Sequence, residues 1–223
     1  MSIFNGLVLE SYDFKDNDVI IKCLTAKGLI SIMCRGVKKY KSKNKAAVLP
    51  YSYSSFEVLD SRTNMFLLKS ANLIKSNYQD DLTVLSVLSI FSEIILADPY
   101  DSNYYEILLY TMKFLDKPFL AASYFLKSSL EIHGLQPIIN HCVYCGSKKF
   151  VNISIKDGGM LCINHSENNT DISRLKKFYL INKASFNLEL INLEYDYVDL
   201  KLFIDYYEYH LNSKIKSFQL LTI

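Results

Sequence analysis

From Phe4 to about Lys75, apolar and polar residues alternate in short runs, the two-residue period of strands with one buried face. Gly6-Leu-Val-Leu-Glu-Ser-Tyr12 and Asp18-Val-Ile-Ile-Lys-Cys-Leu-Thr25 are two such runs, separated by the polar stretch Asp13–Asn17. Lys27-Gly28 then makes a hairpin turn into Leu29-Ile-Ser-Ile-Met-Cys-Arg35. After a basic loop and Pro50, Tyr51–Leu59 and Met65–Ile74 predict a fourth and a fifth strand. Five short strands in about 70 residues suit a small barrel of the OB type, which manages its own edges and commonly binds single strands. A small barrel or meander with no ligand has the same periodicity.

From Asp80 the period lengthens to that of helices. Asp80-Asp81 supplies an N-cap, and the apolar stripe beginning at Leu82 ends at Asp98-Pro99. A second helix is predicted from about Ser102 to Leu115. A third starts with Pro118 in its first turn and stops at Gly134, a natural C-cap. Helical sequence resumes after the polar stretch Ser166–Thr170, and Val198–Leu211 is the last amphipathic helix. Tyr104, Tyr105, Tyr110, Phe114, Tyr124 and Phe125 recur at helical spacing and are read as core rather than as a stacking platform. The predicted class is α+β, with an OB-type β-barrel over residues 1–78 followed by an α-helical domain over 79–223.

Inside the helical half lies a segment with a different signature, Cys142-Val-Tyr-Cys145-Gly146, then Cys162-Ile-Asn-His165. Two residues between the members of each pair let a tight turn aim both side chains at one point, and two such knuckles complete a tetrahedron around Zn²⁺. Cys142, Cys145, Cys162 and His165 are the candidate ligands of a structural zinc site inserted at 142–165, with no open coordination position. The bland alternative makes the three cysteines small buried hydrophobes and His165 a loop residue. Cys23 and Cys34 stand singly in strand-like contexts and are read as core. A disulfide reading is weaker, because the cysteine count of five is odd and the N-terminal sequence lacks a secretory pattern.

Net charge is +2 over 223 residues, but it is uneven. Residues 1–75 hold twelve Lys/Arg against six Asp/Glu, +6, which leaves thirteen against seventeen, −4, for the remainder. Within the basic part, Arg35, Lys38, Lys39, Lys41, Lys43 and Lys45 surround Tyr40 with no acidic residue between them. Such a loop at a strand end is what a groove for a nucleic-acid backbone requires, and also what a merely solvated loop looks like. No apolar run approaches the roughly twenty residues of a membrane span, so a soluble, cytoplasmic protein is expected. Gly-rich phosphate loops, His-Glu-x-x-His, Gly-x-Ser-x-Gly and the zinc-deaminase signature are all missing, which excludes their chemistries. A Cys142 nucleophile paired with His141 is the weaker reading, since metal ligation already accounts for the cysteines.

Taken in order, these segments resemble the RecO family of bacterial recombination mediators. Gly6-Leu-Val-Leu-Glu-Ser-Tyr-Asp-Phe is similar to the family's opening strand, and Cys34-Arg35-Gly36-Val37-Lys38-Lys39-Tyr40-Lys41-Ser42 to its basic Ala-Arg-Gly segment. Cys142 to Cys162 resembles its zinc segment, and Tyr209-His210-Leu211 through Leu221 its terminal helix. One departure is that His165 stands where the family pattern has a fourth cysteine. The resemblance implies a non-catalytic role: binding single- and double-stranded DNA and contacting the C-terminal tail of single-strand-binding protein. It also implies action with RecR to load RecA or to anneal strands, with no membrane partner and no small-molecule substrate. The competing readings are a zinc-stabilised adaptor that binds only protein and an enzyme of unrecognised type.

Overall fold

A computed structural model of the protein describes residues 1–60, 65–76, 81–98 and 100–222. Five strands, β1 (Ser2–Lys15), β2 (Asp18–Thr25), β3 (Gly28–Cys34), β4 (Ser52–Leu59) and β5 (Phe66–Ser76), form a closed barrel in the order β1-β2-β3-β5-β4. The alternation in the sequence decides which side chains enter it. Val19, Ile21 and Cys23 from β2, Ile32 and Cys34 from β3, and Phe56 and Val58 from β4 make the barrel core. On the outer face between them Lys22 reaches Glu10 at 3.2 Å. Each fully buried aliphatic side chain contributes about 1.5–3 kcal/mol. Closure comes from β1, which pairs antiparallel with β2 and also with β4, and from a short parallel contact of β3 with β5 at Ile32↔Phe66 and Met33↔Leu67. This is the five-stranded OB arrangement expected from the pattern.

β1 is longer than its hydrophobic alternation suggested. Asp13, Phe14 and Lys15, read as turn, stay in the ladder opposite β2, leaving Asp16-Asn17 as the turn. Register shifts between Val8/Glu10 and Asp13/Lys15 bend the strand, which lets one strand serve two partners.

Cα packing divides the chain into Met1–Glu106 and Ile107–Ile223. In the first unit α1 (Leu82–Ala97) packs with the barrel. Its N-cap is Asp81, whose Oδ1 accepts from the Thr83 and Val84 N–H groups at 2.7 and 3.2 Å. Val84, Val87, Leu88, Phe91, Ile94 and Ile95 form its buried side. The expected flanks Asp80 and Pro99 lie outside the described residues.

The predicted helix 102–115 is three pieces: a 3₁₀ turn at Asp101–Asn103, α2 (Tyr104–Thr111) and a second 3₁₀ turn at Met112–Phe114. Thr111 Oγ1 donates to the Ile107 carbonyl at 2.7 Å, the back-bonding by which a β-branched hydroxyl weakens the helical ladder at a helix end. α3 (Pro118–Ile132) is buried along nearly its whole length and ends in a Schellman turn. There Gly134 takes φ +68°, and the Leu135 N–H returns to the Leu130 carbonyl at 2.9 Å.

α3 packs against α4 (Ile172–Lys183) and α5 (Tyr197–Leu211). Lys127 of α3, 3% exposed, donates to the Ala184 carbonyl at 2.7 Å, placing a cation at the C-terminal end of α4. Asp199 closes a capping box with Asp196 and accepts from Lys177 and Arg174 at 2.5 and 3.0 Å, which joins α4 to α5. Tyr104, Tyr124 and Phe125 are buried and Tyr105, Tyr110 and Phe114 half-buried, so the aromatic residues are core. Tyr110 meets Phe114, Tyr124 and Phe186 at 5.2, 5.6 and 5.0 Å.

Candidate metal centre and nucleic-acid surface

The segment between α3 and α4 folds as two knuckles and a hairpin. In the first knuckle the Gly146 N–H returns to the Cys142 carbonyl at 3.0 Å, with Gly146 at φ +72°, and the Cys142 N–H donates to Ser147 O at 2.7 Å. The hairpin pairs β6 (Asn152–Ser154) with β7 (Gly159–Leu161), and the Val143 N–H donates to Met160 O at 3.0 Å, stitching the first knuckle to β7. A 3₁₀ turn at Ile163–His165 makes the second knuckle, its His165 N–H reaching the Cys162 carbonyl at 3.0 Å.

The knuckles bring Cys142, Cys145, Cys162 and His165 together, with one donor atom from each within 4.8 Å of all the others. Cys145 and Cys162 sulfurs are 3.6 Å apart, and His165 Nδ1 lies 3.7 Å from Cys142 Sγ and 3.3 Å from Cys162 Sγ. With metal–sulfur bonds near 2.3 Å, the edge of a tetrahedral zinc site is about 3.8 Å, so the donors are spaced as such a site needs. The set can hold a metal ion, and its histidine would ligate through Nδ1.

The thiols are also biased electrostatically. Burial opposes ionisation of Cys142, but backbone N–H groups of Cys162, Cys145 and Tyr144 outweigh it and pull the thiol down to about 6. Cys145 has the Ser147 N–H in favour of its thiolate, yet the neighbouring Cys162 and Cys142 sulfurs push it up. A cation held between the sulfurs would favour the thiolate form of each. The other two cysteines differ: burial raises both, Cys34 to about 12, which makes them inert hydrophobes of the barrel core.

His210, which the spacing of the cysteines gave no means of finding, fixes this segment to α5. Its Nε2 donates to the Ile155 carbonyl at 2.8 Å, and its ring lies 4.2 Å from Tyr206. At the hairpin turn Asp157 accepts from Ser154 and Tyr144 hydroxyls, each at 2.6 Å, which holds its carboxyl below the usual range.

The basic loop leaves β3 as a series of turns whose small residues are pinned and whose cations, Lys38 apart, form no ion pair among the described residues. Val37 is 2% exposed in the barrel core, the Gly36 N–H donates to Asp18 at 2.7 Å, and Asn44 accepts the Ala71 N–H at 3.1 Å. Ala47 and Val48 of the following 3₁₀ turn are buried, and Ser52 and Ser54 hydroxyls donate to the Ala46 and Ala47 carbonyls at 3.0 and 2.9 Å. Arg35, Lys38, Lys39, Lys41, Lys43 and Lys45 are exposed, and Tyr40 stands 99% exposed among them.

The cations are not equivalent. Lys38 is paired with Asp13 at 2.8 Å. Arg35 and Lys39 line a cleft of about 420 Å³ with Lys15, Asp16 and Asp18. Lys15 was missed because it was read as turn. The exposed ring of Phe14 fell in the same stretch, with Lys15 Nζ 5.5 Å from its centroid, while the exposed ring of Tyr12 closes the run read as the first strand.

An OB barrel with a pinned, lysine-rich loop, followed in the chain by helices that carry a cysteine–histidine ribbon, defines an α+β class of protein. Residues 1–77 match the family described as Recombination protein O N terminal. The chain is 34% identical over 155 residues to the DNA repair protein RecO of Mycoplasma mycoides subsp. mycoides, a match covering 64% of this chain and 62% of that protein. It is 27% identical over 222 residues to the DNA repair protein RecO of Mesoplasma florum, covering 91% and 83%. Against that of Bacillus subtilis it is 28% identical over 171 residues, covering 70% and 66%. The matched stretch thus spans just under two thirds of the first and third relatives. The chain is similar to these RecO proteins, and the family match covers its first 77 residues.

Proposed function

We propose that this chain is a non-catalytic, DNA-binding mediator of recombinational repair, with residues 1–78 as its nucleic-acid-binding domain and 79–223 as a helical domain. The observation that carries the reading is the basic loop. Its backbone is anchored by Val37, Gly36 and Asn44 while five cations and a fully exposed tyrosine point to solvent without a protein partner of opposite charge among the described residues. A rigid base holding free charges binds phosphates with little ordering cost, and the exposed ring offers a sequence-tolerant stacking face. The similarity to RecO proteins supports single- and double-stranded DNA as the ligands. It equally supports RecR and the tail of single-strand-binding protein as partners, RecA being served indirectly, and a cytoplasmic location.

In the same reading the ribbon holds one structural Zn²⁺ through Cys142, Cys145, Cys162 and His165. The ion supplies positive charge that keeps three sulfurs together and fixes two turns. The residues around it orient the knuckles through the Ser147, Met160 and Cys142 hydrogen bonds.

The test is a salt series with a labelled oligonucleotide. Lys39, Lys41 and Lys43 changed together to Ala should flatten the plot of log affinity against log salt by up to about 2 units, since a single-strand phosphate contact is worth about 0.7. Lys38 is left alone because it is already paired with Asp13. A wild-type chain whose partner affinity shows no DNA component would instead mark a zinc-stabilised adaptor. An unchanged slope in the triple variant would remove the loop from the interface.

A further inference from the structure

α4 reads Ile-Ser-Arg-Leu-Lys-Lys-Phe-Tyr-Leu-Ile-Asn-Lys, with four cations and no carboxylate. Two of the four are committed, since Arg174 and Lys177 hold Asp199. Lys176 and Lys183 are exposed and form no ion pair among the described residues. Between them on the same helical face lies the half-buried ring of Tyr179, at spacings of three and four residues. Lys183 Nζ sits 4.9 Å from that ring's centroid.

A second segment completes the patch. Phe150, from the loop between the first knuckle and β6, lies on the Tyr179 ring with centroids 6.4 Å apart and planes 28° from parallel. Phe150 is preceded by Lys148 and Lys149, both exposed and likewise without an ion pair among the described residues. Four uncompensated ammonium groups therefore border two stacked, partly accessible rings. A solvated helix face needs neither the rings nor the absence of carboxylates. The acidic balance of residues 76–223 makes four lysines in these two segments, without an ion pair among the described residues, the more distinctive.

We propose that this stripe is a second contact surface for single-stranded nucleic acid. Lys148, Lys149, Lys176 and Lys183 take successive phosphates, and the Tyr179–Phe150 pair takes a base. Cations repeated along a stripe suit a polyanion of regular charge spacing, and base stacking on aromatic rings is tolerant of sequence. The inference rests on the DNA-binding reading above, in which the barrel loop is the first surface.

The experiment uses the full-length zinc-loaded chain and a labelled oligothymidylate over a salt series. Three proteins are compared: wild type, the barrel-loop triple variant, and Lys148→Gln/Lys149→Gln/Lys176→Gln/Lys183→Gln. The quadruple variant should keep the wild-type melting temperature and flatten the salt slope by up to about 3 units. Tyr179→Leu, which keeps every charge, should weaken binding several-fold at an unchanged slope.

A quadruple variant with the wild-type slope, alongside a loop variant that loses it, overturns this inference and leaves the DNA reading intact. Wild-type protein with no salt-dependent affinity overturns both. A quadruple variant that binds DNA normally but loses an acidic peptide probe would reassign the stripe to a protein partner and overturn the nucleic-acid assignment.

Discussion

Cys142 and Cys23 carry the same side chain into opposite surroundings. Three backbone N–H groups converge on the first, while the second has the inside of a barrel. Thiol titration should separate them: in zinc-loaded protein all five cysteines resist a thiol reagent, a strong chelator exposes three, and Cys23 and Cys34 react only on unfolding. Five reactive thiols in chelated but folded protein would contradict the burial argument. Gly159 makes a second prediction. A Cβ there would stand 2.3 Å from the Ile138 carbonyl oxygen and 2.8 Å from its nitrogen, backbone that cannot turn aside. Gly159→Ala should destabilise the ribbon by about 1–3 kcal/mol, read as a lower melting temperature together with faster zinc release.

What the sequence made visible at this scale was local. Two residues between ligands is a statement about one turn, so the knuckles could be read directly. The Asp13–Lys38 pair joins positions 25 apart and Asn44 caps the Ala71 N–H 27 residues away, and neither has a signature in spacing. Nor does the Phe150–Tyr179 contact, made by segments that net charge assigns to the acidic part of the chain.

Among elements, the strands were legible because alternation maps directly onto inward and outward faces. Their ends were not, since a bulge let polar Asp13 and Lys15 remain in a ladder. α2 was overextended because the apolar pattern continues through Met112–Phe114 while the Thr111 hydroxyl takes the Ile107 carbonyl. The α4–α5 junction was invisible, because its centre is a buried carboxylate. Asp199, 3% exposed, faces Arg174 and Lys177 and caps its own helix. Asp199→Ala leaves two cations facing an emptied site and should cost about 3–5 kcal/mol, measured by denaturant melting. Phe125→Ala in α3, at a position with 0% exposure, should cost a similar 3–5 kcal/mol through the cavity it opens. A loss under 1 kcal/mol for either would mean that the helices repack around the change.

For the molecule as a whole, the division into Met1–Glu106 and Ile107–Ile223 predicts that metal acts on one part. All four candidate ligands lie in the second unit. Chelation, or Cys145→Ser, should lower the melting of the helical unit while the barrel's own transition stays in place. Hydrogen exchange that rises in the ribbon and α5 but not in β1–β5 is the corresponding local readout. Uniform loosening of both units would show that the metal stabilises the chain through some route other than the ribbon.

The hold of His210 on the Ile155 carbonyl also sets an order in time. The ligands are complete once His165 has been synthesised, whereas α5 ends at Leu211, 46 residues later. At about 5–20 residues per second, that leaves about 2–9 seconds in which the ribbon exists without the helix that will clasp it. A ribbon already closed on its metal during that interval presents the Ile155 carbonyl and the Gly158 turn ready-made for α5 to settle against. If the ribbon takes up its ion in that interval, metal supply during synthesis, and not only in the finished protein, would set how promptly the last helix finds its seat.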